Sequence, residues 1–157
     1  MFYVGLDIHK SHITGCVLDS DGKVFQRWQV RDADEMMARL RELPPFEVCY
    51  EASTGYGRFY ELLTTVAARV AVAHPGLLRL IFQSKKKNDR ADAKKLAKLL
   101  YVGEVPQVDV PAADVRAWRE LITFRKRLIE KRTRAKNVLR CLLRSLGIDP
   151  PQGFGLW

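Results

Sequence analysis

The chain has no apolar run long enough to cross a membrane. Its start, "MFYVGLDIHK", lacks the charged opening, apolar middle and cleavage site of a secretory leader. Membrane embedding and export are therefore not expected. Cysteine is scarce: Cys16, Cys49 and Cys141 are far apart and odd in number, which fits reduced thiols in a cytoplasmic setting rather than a disulfide framework. None has metal-ligand spacing, and all three read as structural. His9 and His12 form an H-x-x-H, but on a strand and turn they need not share a face, so zinc is not expected. Proline and glycine are missing from Asp114 to Leu146, so that stretch lacks the strongest helix breakers. Gly-rich segments able to hold an adenosine are also missing.

Positive charge is abundant but uneven. Residues 1–80 carry 9 Lys/Arg and 10 Asp/Glu, whereas residues 81–157 carry 18 and 8. The net charge of +9 therefore belongs to the second half, which points to a polyanionic partner such as nucleic acid, or to a basic tail without one. With 157 residues, 47% of them hydrophobic, the chain can bury one good core and a small appendage.

The patterning implies an α/β protein. In "FYVGLDIH", Phe2, Val4, Leu6 and Ile8 point one way while Tyr3, Gly5, Asp7 and His9 point the other. Two further β-rich runs, "HITGCVLD" and "KVFQRWQV", are joined by the turn signal "SDG", so the first thirty residues predict three antiparallel strands. "DADEMMARLREL" predicts a helix stopped by Pro44 and Pro45, "FEVCYE" a strand, "TGYGRFYELLTTVAA" a helix and "RVAVA" a strand ended by His74 and Pro75. A further helix is expected from about Asn88 to Tyr101. The order suggests a mixed sheet of about five strands with flanking helices. After the linker "GEVPQVDVPAA", a long helix is expected over residues 114–146, capped by Gly147. Its apolar positions, among them Trp118, Leu121, Ile122, Phe124 and Leu128, form a seam interrupted by Arg125 and Arg132, suited to a helical hairpin or a partner-binding arm.

Two aspartates interrupt the basic stretch "SKKKNDRADAKKLAKLL". On a helix, Asp89 and Asp92 extend the apolar stripe of Ala93, Leu96, Ala97 and Leu100, whereas Lys94, Lys95 and Lys98 fall on the other side. The pair can equally serve a plain helix start, with Asn88 as N-cap and acids in the first turn favoured by the helix dipole. Asp7 lies inside the first apolar strand, where a charge is costly without a partner, and Glu51 ends the strand "FEVCYE". Should these four carboxylates converge, they would need cations. Two divalent ions about 3.5–4 Å apart could activate a water or hydroxyl against a phosphodiester. Oxygen-only ligands favour Mg²⁺ or Mn²⁺.

Together, "GLDIHK", "YEASTGYG", "AHPG" and "NDRADAKKLAKLL" resemble the insertion-sequence transposases with a RuvC-like N-terminal domain, a group that includes the pilin-gene inverting recombinases. The resemblance covers roughly residues 2–102, with the long helix matching the segment that follows. It implies a ribonuclease-H-like fold over residues 1–105, and a helical arm over 106–157 that stops before a second catalytic domain. It also implies an acidic set of Asp7, Glu51, Asp89 and Asp92 as catalytic and metal-binding residues. The family further implies two Mg²⁺ or Mn²⁺ ions, double-stranded DNA as substrate, a structured guide RNA in some members, and dimers or tetramers formed through the C-terminal helix. A bacterial or archaeal, nucleoid-associated setting follows from the same resemblance. The serine proposed as nucleophile in this family belongs to the second domain. Ser53 and Thr54 do not match it, and read as turn and helix-cap residues.

Lys10, Lys85, Lys86, Lys87, Arg125, Arg127, Arg132 and Arg134 are candidate phosphate contacts, each also readable as a solvated surface charge. Trp28 and Trp118 could stack on bases or pack in a core or interface. Two other functions fit parts of the pattern. An actin-like or sugar-kinase ATPase also begins with three strands and an early aspartate. A non-catalytic nucleic-acid-binding module would use the basic half and leave the acids structural.

Overall fold

The computed structural model describes residues 1–53, 55–82 and 89–149, with the side chains of Asp89 and Arg90 left out of the description. It divides into two compact units, one of residues 1–110 and one beginning at Pro111.

The first unit is built on a five-stranded mixed sheet. Strands β1 (Phe2–Ile8), β2 (Ile13–Leu18) and β3 (Val24–Val30) are consecutive and antiparallel, as the alternation and the "SDG" turn predict. Gly22, at φ 74°, closes that turn, and the Asp19 carboxylate accepts from the Asp21 and Lys23 amides. Strands β4 (Phe46–Glu51) and β5 (Arg69–Ala73) follow in parallel, giving the order β3-β2-β1-β4-β5. This is a ribonuclease-H-like arrangement.

Each face of the sheet carries its own helices. Val4, Leu6, Val48, Tyr50 and Val72 pack with Met36, Met37 and Leu40 of α1 (Ala33–Arg41) and with Leu63 of α2 (Tyr56–Leu63). Asp32 caps α1 by accepting from the Asp34 and Glu35 amides. On the opposite face, Cys49, Ala71 and Ala73 meet Leu78 of α3 (Pro75–Ile81) and Leu96, Leu99 and Leu100 of α4 (Asp89–Val102). The free edge of β5 is covered by the chain beyond α4: His74 donates to Pro106 O, and Val108 to Val72 O.

Helix α3 was not expected from the sequence. His74 and Pro75 read as a strand end, yet His74 is an N-cap whose Nδ1 accepts from the Gly76 and Leu77 amides, and Pro75 occupies the first helical turn. Proline is favoured there because its missing N–H would be unpaired in any case.

The second unit contains α5 (Ala113–Ser145), 33 residues, or about 50 Å at 1.5 Å per residue. It ends as the sequence indicates. Gly147, at φ 71°, donates to Arg144 O, and Ile148 donates to Leu143 O, which is the paired closure of a glycine-stopped helix. None of the α5 side chains is buried, and Trp118 (67% exposed), Leu121 (60%) and Phe124 (60%) remain open.

Candidate metal and nucleic-acid site

The acidic residues are placed by one close approach between a strand and a helix. A Cβ on Gly5 would overlap the Ala93 carbonyl oxygen and the Ala97 nitrogen, so α4 lies directly on β1 at this point. Two residues earlier on β1, the Tyr3 ring meets the Tyr101 ring edge-on at 5.3 Å. Moving forward along β1 therefore means moving backward along α4. The N-terminal turn of α4, which begins at Asp89 and includes Asp92, opens at the sheet end where Asp7 stands.

Glu51 reaches the same end through the sheet. Strands β1 and β4 are paired in parallel, with Leu6 opposite Tyr50 as the final matched rung. The next residues are Asp7 and Glu51. They occupy neighbouring positions on strands about 4.8 Å apart and share the α4 face.

The described residues do not close into a ligand set. Among them no group of three His, Cys, Asp or Glu side chains is disposed to hold a metal ion. The Asp7 carboxylate, 17% exposed, lies 3.1 Å from His9 Nε2. Asp92 is 3.0 Å from Lys95 Nζ, and that ammonium also lies 5.0 Å over the Phe82 ring. Glu51 is exposed. Three of the four candidates thus stand at one end of one face, and two of them have cationic or imidazole neighbours. Asp89 begins α4, and its side chain lies outside the described residues, as do Lys85, Lys86, Lys87, Asn88 and Thr54.

Several sequence expectations need adjustment. Lys95 does not project outward with Lys98: it folds back to Asp92 because the two are three residues apart on one helix flank. His9 and His12 do come together, with ring centroids 5.1 Å apart, since the turn between β1 and β2 is closed by the His9 amide donating to His12 O. Sequence reasoning weighed His9 only for zinc and missed its contact with Asp7. The i, i+2 spacing on a strand, which places both side chains on one face, was the available signal.

Lys10 is exposed just past β1. Arg125, Arg127, Arg132 and Arg134 are all exposed on α5. At 100° per residue, Arg125 and Arg132 fall within the apolar seam, while Arg127 and Arg134 project from the opposite side. Trp28 is a packing residue: it lies against the α1/α2 core, and its indole covers Gly15. Cys16 and Cys49 are buried and Cys141 exposed, all three free. Desolvation pushes the Cys49 thiol up to about 12, with Arg69 opposing, so it stays protonated in the fold.

The sequence profile of the IS110 DEDD transposases matches residues 4–148. The chain belongs to this transposase family. Among curated relatives, y4qE of Sinorhizobium fredii, which carries a provisional transposase name, is 32% identical over 157 residues, covering 94% of this chain and 40% of its own length. The transposase for insertion sequence element IS1111A of Coxiella burnetii is 26% identical over 150 residues, covering 96% of this chain and 41% of its own. The transposase for element IS1533 of Leptospira borgpetersenii is 31% identical over 105 residues, with 62% and 30% covered. The chain thus spans about two fifths or less of the length of these relatives. Among the described residues, no helix is long and apolar enough to cross a membrane.

Proposed function

We propose that this chain is the metal-binding and nucleic-acid-binding portion of a DNA transposase, with Asp7, Glu51, Asp89 and Asp92 as its catalytic acids. Residues 1–105 form the catalytic domain in this reading, and residues 106–157 a helical arm leading to a second, serine-bearing domain. The observation that carries the proposal is the shared sheet end. Asp7 and Glu51 stand one residue beyond the last matched rung of β1 and β4, and α4 runs back over Gly5 so that its acidic first turn opens toward that end.

The donor set fits hard divalent cations. All four side chains offer carboxylate oxygen, which favours Mg²⁺ or Mn²⁺, and four like charges gathered at one site would need neutralising. Bound there, two such ions would supply Lewis-acid activation of an attacking oxygen and charge compensation at a phosphodiester. The residues' own tasks are distinct. Asp7 and Glu51 present oxygens from a rigid sheet. Asp92, paired with Lys95 in this structure, would offer its carboxylate to a cation, and the ammonium of Lys95, with Lys10 and Lys85–Lys87, would favour phosphate near the site.

Arg127 and Arg134 contact nucleic-acid backbone, double-stranded DNA and in some settings a structured guide RNA. The apolar seam of α5 pairs with a second copy to form a dimer or tetramer, because so much exposed aromatic and aliphatic surface is unfavourable on a lone helix. The setting in this reading is bacterial or archaeal and nucleoid-associated, in keeping with the bacterial relatives.

Thermal unfolding of the wild type and Asp89→Asn, each with and without Mn²⁺, tests the reading. Removing one charge should stabilise the metal-free protein, and Mn²⁺ should raise the wild-type melting temperature more than that of the variant. A neutral or destabilising substitution, with no Mn²⁺ effect on either protein, would favour the second reading. In that case the Asp92–Lys95 pair is a structural clamp, and the chain binds nucleic acid without metal.

A further inference from the structure

Thr14 carries an unexplained hydroxyl. It is 3% exposed, and its Oγ1 has no hydrogen-bond partner among the described residues. Leaving a hydroxyl unsatisfied in such a place is destabilising, and a valine would fill the same space without that cost. A buried donor in this position calls for a partner that arrives with function.

Its location names the partner. Thr14 on β2 is the cross-strand neighbour of Asp7 on β1. Directly paired residues of an antiparallel ladder project from the same face, with Cβ atoms about 4.5–5.5 Å apart. That face is the α4 side, since Cys16 and Leu18, the next residues of the same parity on β2, pack against Ala93 and Ala97. The other unpartnered buried group, Trp28 Nε1, belongs to an indole over Gly15, which has the opposite parity on β2. Among the described residues, Thr14 is therefore the buried, unsatisfied donor on the face that carries the acids.

We propose that Thr14 is a positioning residue for Asp7: its hydroxyl donates to the Asp7 carboxylate when that group turns from His9 to bind a divalent cation. One carboxylate oxygen then accepts from Thr14 and the other is presented to the ion. A hydrogen-bonded carboxylate holds its orientation, and partners of this kind typically alter metal affinity 10–100-fold. This inference rests on the metal-site reading above.

The test compares Mn²⁺ binding by the wild-type chain, Thr14→Val, Thr14→Ser and Asp7→Asn, followed by loss of the free-ion paramagnetic resonance signal, with metal-free unfolding measured alongside. Thr14→Val should unfold at or above the wild-type temperature, because an orphaned hydroxyl is removed, yet bind Mn²⁺ about tenfold more weakly. Thr14→Ser should bind within about twofold of wild type, since the donor returns. Unchanged affinity in Thr14→Val overturns the role of Thr14 and leaves the metal site standing, provided that Asp7→Asn loses Mn²⁺. Equal weakening in the valine and serine variants would assign the effect to packing and also overturn it. Absence of Mn²⁺ binding by the wild type ends both proposals.

Discussion

Gly5 of β1 lies directly beneath Ala93 of α4, with no room for a side chain between strand and helix. This contact sets the height of α4 over the sheet, and Asp92 is the residue next to Ala93. The strand supplies Asp7 two residues beyond Gly5. Helix and strand acids are thus brought to one end of the sheet by a position that carries no chemistry of its own.

Replacing Gly5 with alanine should therefore do more than lower stability. The added methyl meets backbone rather than a flexible side-chain tip, so α4 must shift or tilt. Overpacking of this kind typically costs about 1–3 kcal/mol. Denaturant unfolding should show a loss of that order. Calorimetric titration should show Mn²⁺ affinity reduced as well, although no acid has been changed.

The two basic flanks of α5 should behave differently. Arg127 and Arg134 face away from the apolar seam, so the double change Arg127→Gln/Arg134→Gln should weaken binding to a short DNA duplex while leaving the oligomeric state intact. Each phosphate contact contributes about 0.9 to the slope of log affinity against log salt, so the slope should shrink by about 1.8. Fluorescence anisotropy at several salt concentrations, with sedimentation of the same samples, reads both quantities. An unchanged slope would assign these arginines to solvent.

What could be read from the sequence, and what could not, follows the range of the interactions. The alternation in "FYVGLDIH" and the Gly147 stop are local, and both appear in the structure. The α3 helix is also local, but His74 acts through an imidazole cap that the usual Ser/Thr/Asp/Asn rule passes over. Gly5 is different. Its need for a bare Cα arises from a helix some ninety residues later, and nothing near it in the chain signals that. Thr14 beside Asp7 likewise depends on strand register, which fixes cross-strand neighbours only once the hairpin is formed. Lys95 and Asp92 have the spacing of a helical ion pair, but the helical face pattern groups Lys95 with Lys94 and Lys98 instead.

If four carboxylates from β1, β4 and α4 hold divalent metal, the protein must take up the ions in solution. The most direct measurement is a Mn²⁺ titration of the 157-residue chain beside the double variant Asp7→Asn/Asp89→Asn, counting bound ions by paramagnetic resonance. The wild type should take up about two ions and the variant essentially none. Equal uptake by both proteins, or none by either, would contradict it.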